Sequence, residues 1–238
     1  MISILVPTRN RVLKLKRMYE SLHYSLSNIN NVQLLLYIDN DDNQSIKFVE
    51  NNKDRFTVTV DYIVGSRVSL GKACNTLFSK AKGDLIMAGA DDIFFKTKNW
   101  DKLIIETYNK IKDQICLFSL NDLYQNPAKL ATHPIISKKA LDVMGYFLPE
   151  QIDCNYGDEW LTYIFKKIGR YNVCNHIVVE HLHWLNGKDS RDMTYIEGSA
   201  NMKRHSVTAF NKLKPLRDES VNKLLKFIEK YEHTINGK

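Results

Sequence analysis

Two apolar runs near the start of the chain, residues 2–6 and 32–38, constrain its fold more than any other feature. Each is almost continuously apolar. Strands buried on both faces of a parallel sheet read this way, whereas a strand with one wet face alternates. Three further β-like runs follow at 57–64, 85–88 and 115–119. Helical patterns lie between them. Leu15, Met18, Tyr19, Leu22 and Leu26 recur at i, i+3, i+4, i+7 and i+11, with Lys14, Lys16 and Arg17 on the flanks. Cys74, Leu77, Phe78 and Ala81 repeat the spacing, ended by Gly83. Strands alternating with helices predict an α/β, Rossmann-like domain whose central sheet is mostly parallel and flanked by helices.

The rhythm changes after residue 120. Residues 121–130 read as a loop, and His133-Pro134-Ile135-Ile136 as a short strand leading to a helix capped at Ser137. Leu161, Ile164, Phe165 and Ile168 mark an amphipathic helix stopped by Gly169, and 176–184 is strand-like. Residues 185–205 are polar and aperiodic, the pattern of a mobile loop near a site. A closing helix runs from Pro215 to about Tyr231, with Val221, Leu224, Leu225 and Ile228 as its stripe. The chain thus divides at 1–120, 121–205 and 206–238.

The four cysteines are far apart and form no Cys-x-x-Cys, so they read as small core residues in a reducing compartment. No apolar run reaches the roughly 18–20 residues of a membrane span. The first residues lack a basic leader and a cleavage site, and a cytoplasmic protein is expected. The net charge of +7, from 34 basic and 27 acidic residues, favours an anionic partner such as a nucleotide diphosphate, nucleic acid or a membrane surface.

In open α/β sheets ligands bind at the C-terminal edge of the strands. The fourth run delivers two adjacent acids there, Asp91 and Asp92, and buried acids are costly unless they meet a cation. Pro7-Thr8-Arg9-Asn10 ends the first strand and opens a helix. Thr8 or Asn10 can cap it, and its N-terminus can face an anion or a base edge. Asp39 ends the second strand before Asn40, Asp41, Asp42 and Asn43, and its carboxylate can accept from a uracil-type N–H or from ribose hydroxyls. Arg67 and Lys72 can offset phosphate charge, with the Asn75 amide beside them. Asp158 and Glu159 stand in the first turn of a helix. His181 and His183 fall on one side of a strand, so both imidazoles can approach one ion. Each piece also has a plain reading: a turn, a cap, a surface cation, or an acid favoured by the helix dipole. Trp100, Trp160 and Trp184 can stack on a sugar, with core packing the expected use of at least two.

In this order, Ile4-Leu5-Val6-Pro7-Thr8-Arg9-Asn10, Tyr37-Ile38-Asp39, Leu70-Gly71-Lys72-Ala73-Cys74-Asn75, and Gly83-Asp84-Leu85-Ile86 leading to Asp91-Asp92 resemble the family 2 glycosyltransferases of the GT-A fold. The resemblance spans roughly residues 2–185. It implies a nucleotide-sugar-binding half over 1–120, an acceptor-side and catalytic half over 121–205, and a C-terminal helical extension over 206–238. It further implies a nucleotide-sugar donor, with a UDP-sugar favoured, bound by Pro7, Thr8, Arg9, Asp39, Arg67, Lys72, Asn75 and Asp91. Mn²⁺ or Mg²⁺ is implied on Asp91 and Asp92 with His181 or His183. Asp158, or else Glu159, becomes the base of an inverting transfer. The chain departs from the family where Asp-x-Asp is usual, having Gly89-Ala90-Asp91.

The acceptor is a glycan or lipid-linked precursor, or hydroxymethylated bases in DNA. In the DNA case Lys203, Arg204, Lys212, Lys214 and Arg217 would form a phosphate track. Two other classes fit the same sheet: a nucleotidyltransferase, and a non-catalytic nucleotide-sugar-binding module.

Overall fold

A computed structural model of the chain describes residues 1–201 and 205–236. Its strands are β1 (Ile2–Thr8), β2 (Val32–Asp39), β3 (Thr59–Gly65), β4 (Leu85–Ala88), β5 (Ile93–Phe95), β6 (Leu117–Asn121), β7 (Ile135–Ser137) and β8 (Tyr171–His181). They lie in the order β3-β2-β1-β4-β7-β6-β8-β5. The first four spatial neighbours run parallel, β7 is antiparallel to both β4 and β6, and β8 returns parallel to β6. The helices are α1 (Val12–Ser25), α2 (Asn43–Asn52), α3 (Leu70–Phe78), α4 (Trp100–Tyr108), α5 (Lys138–Met144), α6 (Gly157–Lys167), α7 (Met193–Asn201), α8 (Val207–Lys212) and α9 (Lys214–Asn236). The fold is the expected α/β architecture, with helices covering both faces of a mostly parallel sheet.

The continuous apolar runs have a direct cause. Ile4, Val6, Leu34 and Leu36 point to one face, where Leu15, Met18 and Leu22 of α1 cover them. Leu5 and Leu35 point to the other, against Cys74 and Leu77 of α3, Trp160 and Ile164 of α6, and Leu224 and Ile228 of α9. Successive strand residues face opposite sides, so a sheet covered twice needs apolar residues at every position.

Several local expectations are corrected. Neither Thr8 nor Asn10 caps α1: Arg11 is at the N-cap without a side-chain cap bond, and Asn10 takes φ 55. The Asn10 N–H goes instead to Asp42 Oδ2 at 2.7 Å. Asp42 in turn caps α2 by accepting from Ser45 N, so the Asp- and Asn-rich run that reads as a turn is also a helix start. Ser137 precedes α5, but its hydroxyl accepts from Cys116 N rather than capping. Residues 185–205, expected as a loop, contain α7. Cys74, Cys116 and Cys174 are buried as expected, whereas Cys154 is half-buried and lines the main cavity. Trp100 and Trp160 are core residues.

Among the described residues the expected phosphate track is not assembled. Lys203 and Arg204 lie outside the described residues. Lys214 pairs with Asp218, and Arg217 is a buried cation packed 3.9 Å from the Phe210 ring centroid. Lys212 is exposed. No helix among the described residues is long and apolar enough to cross a membrane.

Candidate active site

A cavity of about 860 Å³ opens at the C-terminal edge of β2, β1 and β4. The strand ends supply Thr8, Arg9, Asp39, Asp91 and Asp92; α6 supplies Asp158; and the segment through α7 forms the opposite wall with Thr194 and Tyr195. Pro7, Arg67, His181 and His183 line it as well.

Its centre is a buried ionic cluster. Asp91 Oδ2 accepts from the Thr8 hydroxyl at 2.8 Å, and Asp91 Oδ1 accepts from Arg11 Nη1 at 3.0 Å. The same nitrogen is 3.5 Å from Asp92 Oδ2, which also accepts from Tyr195 Oη at 2.5 Å. Asp192 grips the other side of the guanidinium through two bonds of 2.8 Å. Burial opposes charge on Arg11, but Asp91 and Asp192 more than offset it, and the guanidinium is held strongly protonated. Burial pushes the Asp91 carboxyl up to about 6, moderated by Arg11. Asp92 is likewise desolvated, yet His181 and Arg11 hold it well below the usual carboxylate range.

Sequence reasoning expected a divalent ion here, and as packed these residues do not fit one. Among the described residues no three His, Cys, Asp or Glu side chains gather into a metal-holding set. Both Asp91 oxygens are engaged, and the charge of the acidic pair is met by Arg11. Arg11 is two positions past Arg9 and was passed over, because a cation at a helix start carries no periodic signal.

A second cluster sits beside Asp39. Arg9 lies 3.5 Å from Asp39, 2.8 Å from Asp41 and 3.1 Å from Glu197, while Arg67 lies 2.6 Å from the same Glu197 oxygen. Glu197 on α7 thus stands between two cations, as an anionic ligand would. Burial raises the Asp39 carboxyl, and Arg9 opposes that shift. Asp189 and Asp192 tie the same segment to Lys14 and Arg17 of α1. Asp189, Asp192, Tyr195 and Glu197 were all missed, because the segment's order comes from charges on partners more than 100 residues away.

Asp158 lies in the first turn of α6 and faces the cavity. Burial, then the neighbouring Glu159 carboxyl, raises it well above the ordinary range. Glu159 and Lys72 do not line the cavity. Neither does Asn75, whose amide accepts from Phe147 N at 2.8 Å and donates to Leu148 O at 2.7 Å, clamping α3 to the chain before α6. His183 stacks on Tyr124 with centroids 5.7 Å apart, and its Nδ1 accepts from Leu185 N. Trp184 also lines the cavity.

The missing first acid of the Asp-x-Asp pattern has a packing cause. A Cβ at Gly89 would meet Ile4 Cγ2 at 2.6 Å and Val6 Cγ2 at 2.8 Å, so the chain lies flush on β1.

The model of the family described as "Glycosyl transferase family 2" matches residues 3–148, which run from within β1 past the end of α5 and include the Asp91–Asp92 turn. The chain belongs to this family. Solved structures of family-like fold accompany it. A mannosyltransferase, PcManGT from Pyrobaculum calidifontis, in complex with GDP-Man and Mn²⁺, is 12% identical, with TM-score 0.64 over 92% of this chain and 73% of that one. S. aureus TarS 1–349 in complex with UDP-GlcNAc is 14% identical, with TM-score 0.59 over 98% and 74%. In the longer S. aureus TarS structure this chain covers 36%. No curated protein matches the chain. At these identities the structural likeness concerns the fold, and this glycosyltransferase's chemistry rests on its own residues.

Proposed function

We propose that this family 2 glycosyltransferase moves a sugar from a nucleotide-diphosphate sugar to an acceptor hydroxyl, with inversion and with Asp158 as base. One observation carries the reading: Asp39, the Arg9–Arg67 pair and Asp158 come from four separate segments and line one cavity. In this reading Asp39 receives the base or ribose, and a uracil-type N–H suits its carboxylate. Arg9 and Arg67 take the diphosphate when Glu197 withdraws, and stabilise the charge that develops as it leaves. Asp158 accepts the proton of the attacking hydroxyl; a positioned base of this kind contributes about 10²–10⁴-fold in rate. Its raised affinity for protons suits that task.

The α7 segment closes the cavity and keeps water from the donor. Mn²⁺ or Mg²⁺ belongs to this reading only in an arrangement where Arg11 has released Asp91. The acceptor is taken as a glycan or lipid-linked precursor in preference to DNA, since Arg217 is buried and Lys214 is paired.

The test is thermal shift against UDP, GDP, CDP and nucleoside triphosphates, followed by donor turnover. The expected result is stabilisation by a nucleoside diphosphate and its sugar conjugate, with release of that diphosphate. Pyrophosphate release from a triphosphate would make the chain a nucleotidyltransferase, and binding without turnover would make it a binding module.

A further inference from the structure

One corner of the cavity holds buried polar atoms that no protein group satisfies. Asp92 Oδ1, Thr132 Oγ1, His133 Nε2 and His181 Nδ1 are shut off from solvent and have no hydrogen-bond partner among the described residues. All four side chains line the cavity. Three of them are contiguous, and Thr132 is the chain neighbour of His133. The His133 and His181 rings meet edge-on with centroids 4.8 Å apart, and His181 Nε2 stands 3.5 Å from Asp92 Oδ1, too far to be a good hydrogen bond. Buried polar groups are nearly always paired, so orphans gathered on one cavity call for a ligand.

The chemistry of that ligand follows from the atoms. An ionised Asp92 oxygen only accepts. His133 Nδ1 faces the Ala88 carbonyl at 3.2 Å, and a carbonyl only accepts, so the proton of the neutral ring belongs on Nδ1. Nε2 is then an acceptor too. Asp92 and His133 both want donors, and the Thr132 hydroxyl can give or take. Adjacent sugar hydroxyls supply that combination.

Position agrees with chemistry. Across the sheet edge the strands run β2, β1, β4, β7. Asp39 ends β2, Arg9 follows β1, Asp92 follows β4, and Thr132 and His133 precede β7. Three strand spacings are about 14 Å. Base or ribose, diphosphate and sugar follow one another in the same order along a nucleotide sugar.

We propose that Thr132, His133 and Asp92 turn these shut-off polar atoms into the cavity when the donor binds and form the subsite that reads hydroxyls of the transferred sugar, with His133 Nε2 as a specificity-determining acceptor. This rests on the nucleotide-sugar reading above. The test is calorimetry on the full chain with UDP, GDP, their hexose conjugates, and deoxy analogues of whichever conjugate binds most tightly. His133→Phe keeps a flat aromatic ring and removes the acceptor. It is expected to bind the nucleoside diphosphate within twofold of wild type but the sugar conjugate about tenfold more weakly. Wild type is expected to disfavour one deoxy analogue about tenfold, and the variant to lose that discrimination.

Equal weakening for diphosphate and conjugate, or no change for either, overturns the proposal. So does Mn²⁺ alone binding wild type but not the variant, which would make the corner a metal site. If His133→Phe fails to fold, Thr132→Val must give the same selective loss, and its absence overturns the proposal. Failure of every nucleotide to bind would instead remove the functional reading beneath it.

Discussion

Arg11 and Asp91, 80 residues apart in sequence, form a buried ion pair with Nη1 3.0 Å from Oδ1. The pair joins the start of α1 to the end of β4, and Asp192 extends it to the α7 segment. Three carboxylates therefore share one guanidinium. Removing one member of such a cluster leaves charges buried without a partner, at a cost of about 3–5 kcal/mol. Arg11→Met is expected to lower the melting temperature by roughly 6–20 °C for a chain of this size. Arg11→Lys should recover only part of it, since an ammonium cannot bridge Asp192 in two bonds while also reaching Asp91. Thermal denaturation followed by circular dichroism decides this; a loss under 2 °C for Arg11→Met would refute it.

Glu197 competes with any anion for Arg9 and Arg67. The contacts are partly exposed, with Arg67 49% and Glu197 30% accessible at the side chain, so the competition is modest. Partly exposed pairs are worth up to about 1 kcal/mol, equivalent to about fivefold in affinity. Glu197→Gln is expected to tighten UDP or GDP binding by up to that factor at low salt, and the gain should shrink as salt is added. Calorimetry at two ionic strengths measures it. Weaker binding in the variant would mean that Glu197 assists the donor.

The legible and illegible parts of this molecule differ in their physics. Leu15, Met18 and Leu22 announced α1 because burial repeats with the helical period, and the runs around Leu5 and Leu35 announced a sheet covered on both faces. Asp39, Asp91 and Asp158 stood out as candidates because each acid follows an apolar run or opens an amphipathic helix, and all three line the cavity. Arg11, Tyr195 and Glu197 were not. Their roles depend on which distant charges they meet, and no local pattern encodes a pairing across 80 to 188 residues. Lys72 and Asn75 show a related gap: spacing put them on a helix beside the cavity, but neither lines it. His133 was read as the start of a short strand on the acceptor side, because the unpaired nitrogen behind its proposed role is something a sequence cannot display.

Asp158 gives a pH dependence whose sign is fixed. Its folded carboxyl holds its proton well above the ordinary carboxylate range, so in the free protein the base keeps its proton to higher pH than an ordinary carboxyl does. Transfer measured as kcat/KM is expected to rise with pH through that raised value, and Asp158→Asn to abolish turnover while nucleotide binding persists. Stability moves the other way. The unfolded carboxyl has an ordinary pKa, so folding takes up a proton between the two values, and Asp158 costs stability as pH climbs through that window. A pH series of denaturant midpoints should therefore be less steeply destabilised at high pH in Asp158→Asn than in wild type. Coincident slopes would show that the carboxyl is not perturbed.

Gly89 tests whether the absent acid of the Asp-x-Asp pattern is a lost function or a packing requirement. Restoring it by Gly89→Asp looks like a repair when read from sequence. In the fold, however, the new Cβ would lie 2.6 Å from Ile4 Cγ2 and 2.8 Å from Val6 Cγ2. Those methyls belong to β-branched side chains on a central strand, fully buried and confined to few rotamers, so they cannot step aside. Overpacking of this kind typically costs 1–3 kcal/mol, and a carboxylate driven toward the apolar layer adds to it. The expected outcome is a lower melting temperature and no gain in nucleotide affinity. Gly89→Ala separates the two contributions, since it brings the steric contact without the charge and should already show most of the stability loss. If Gly89→Asp instead binds UDP or GDP more tightly at unchanged stability, β1 yields there and the packing explanation fails.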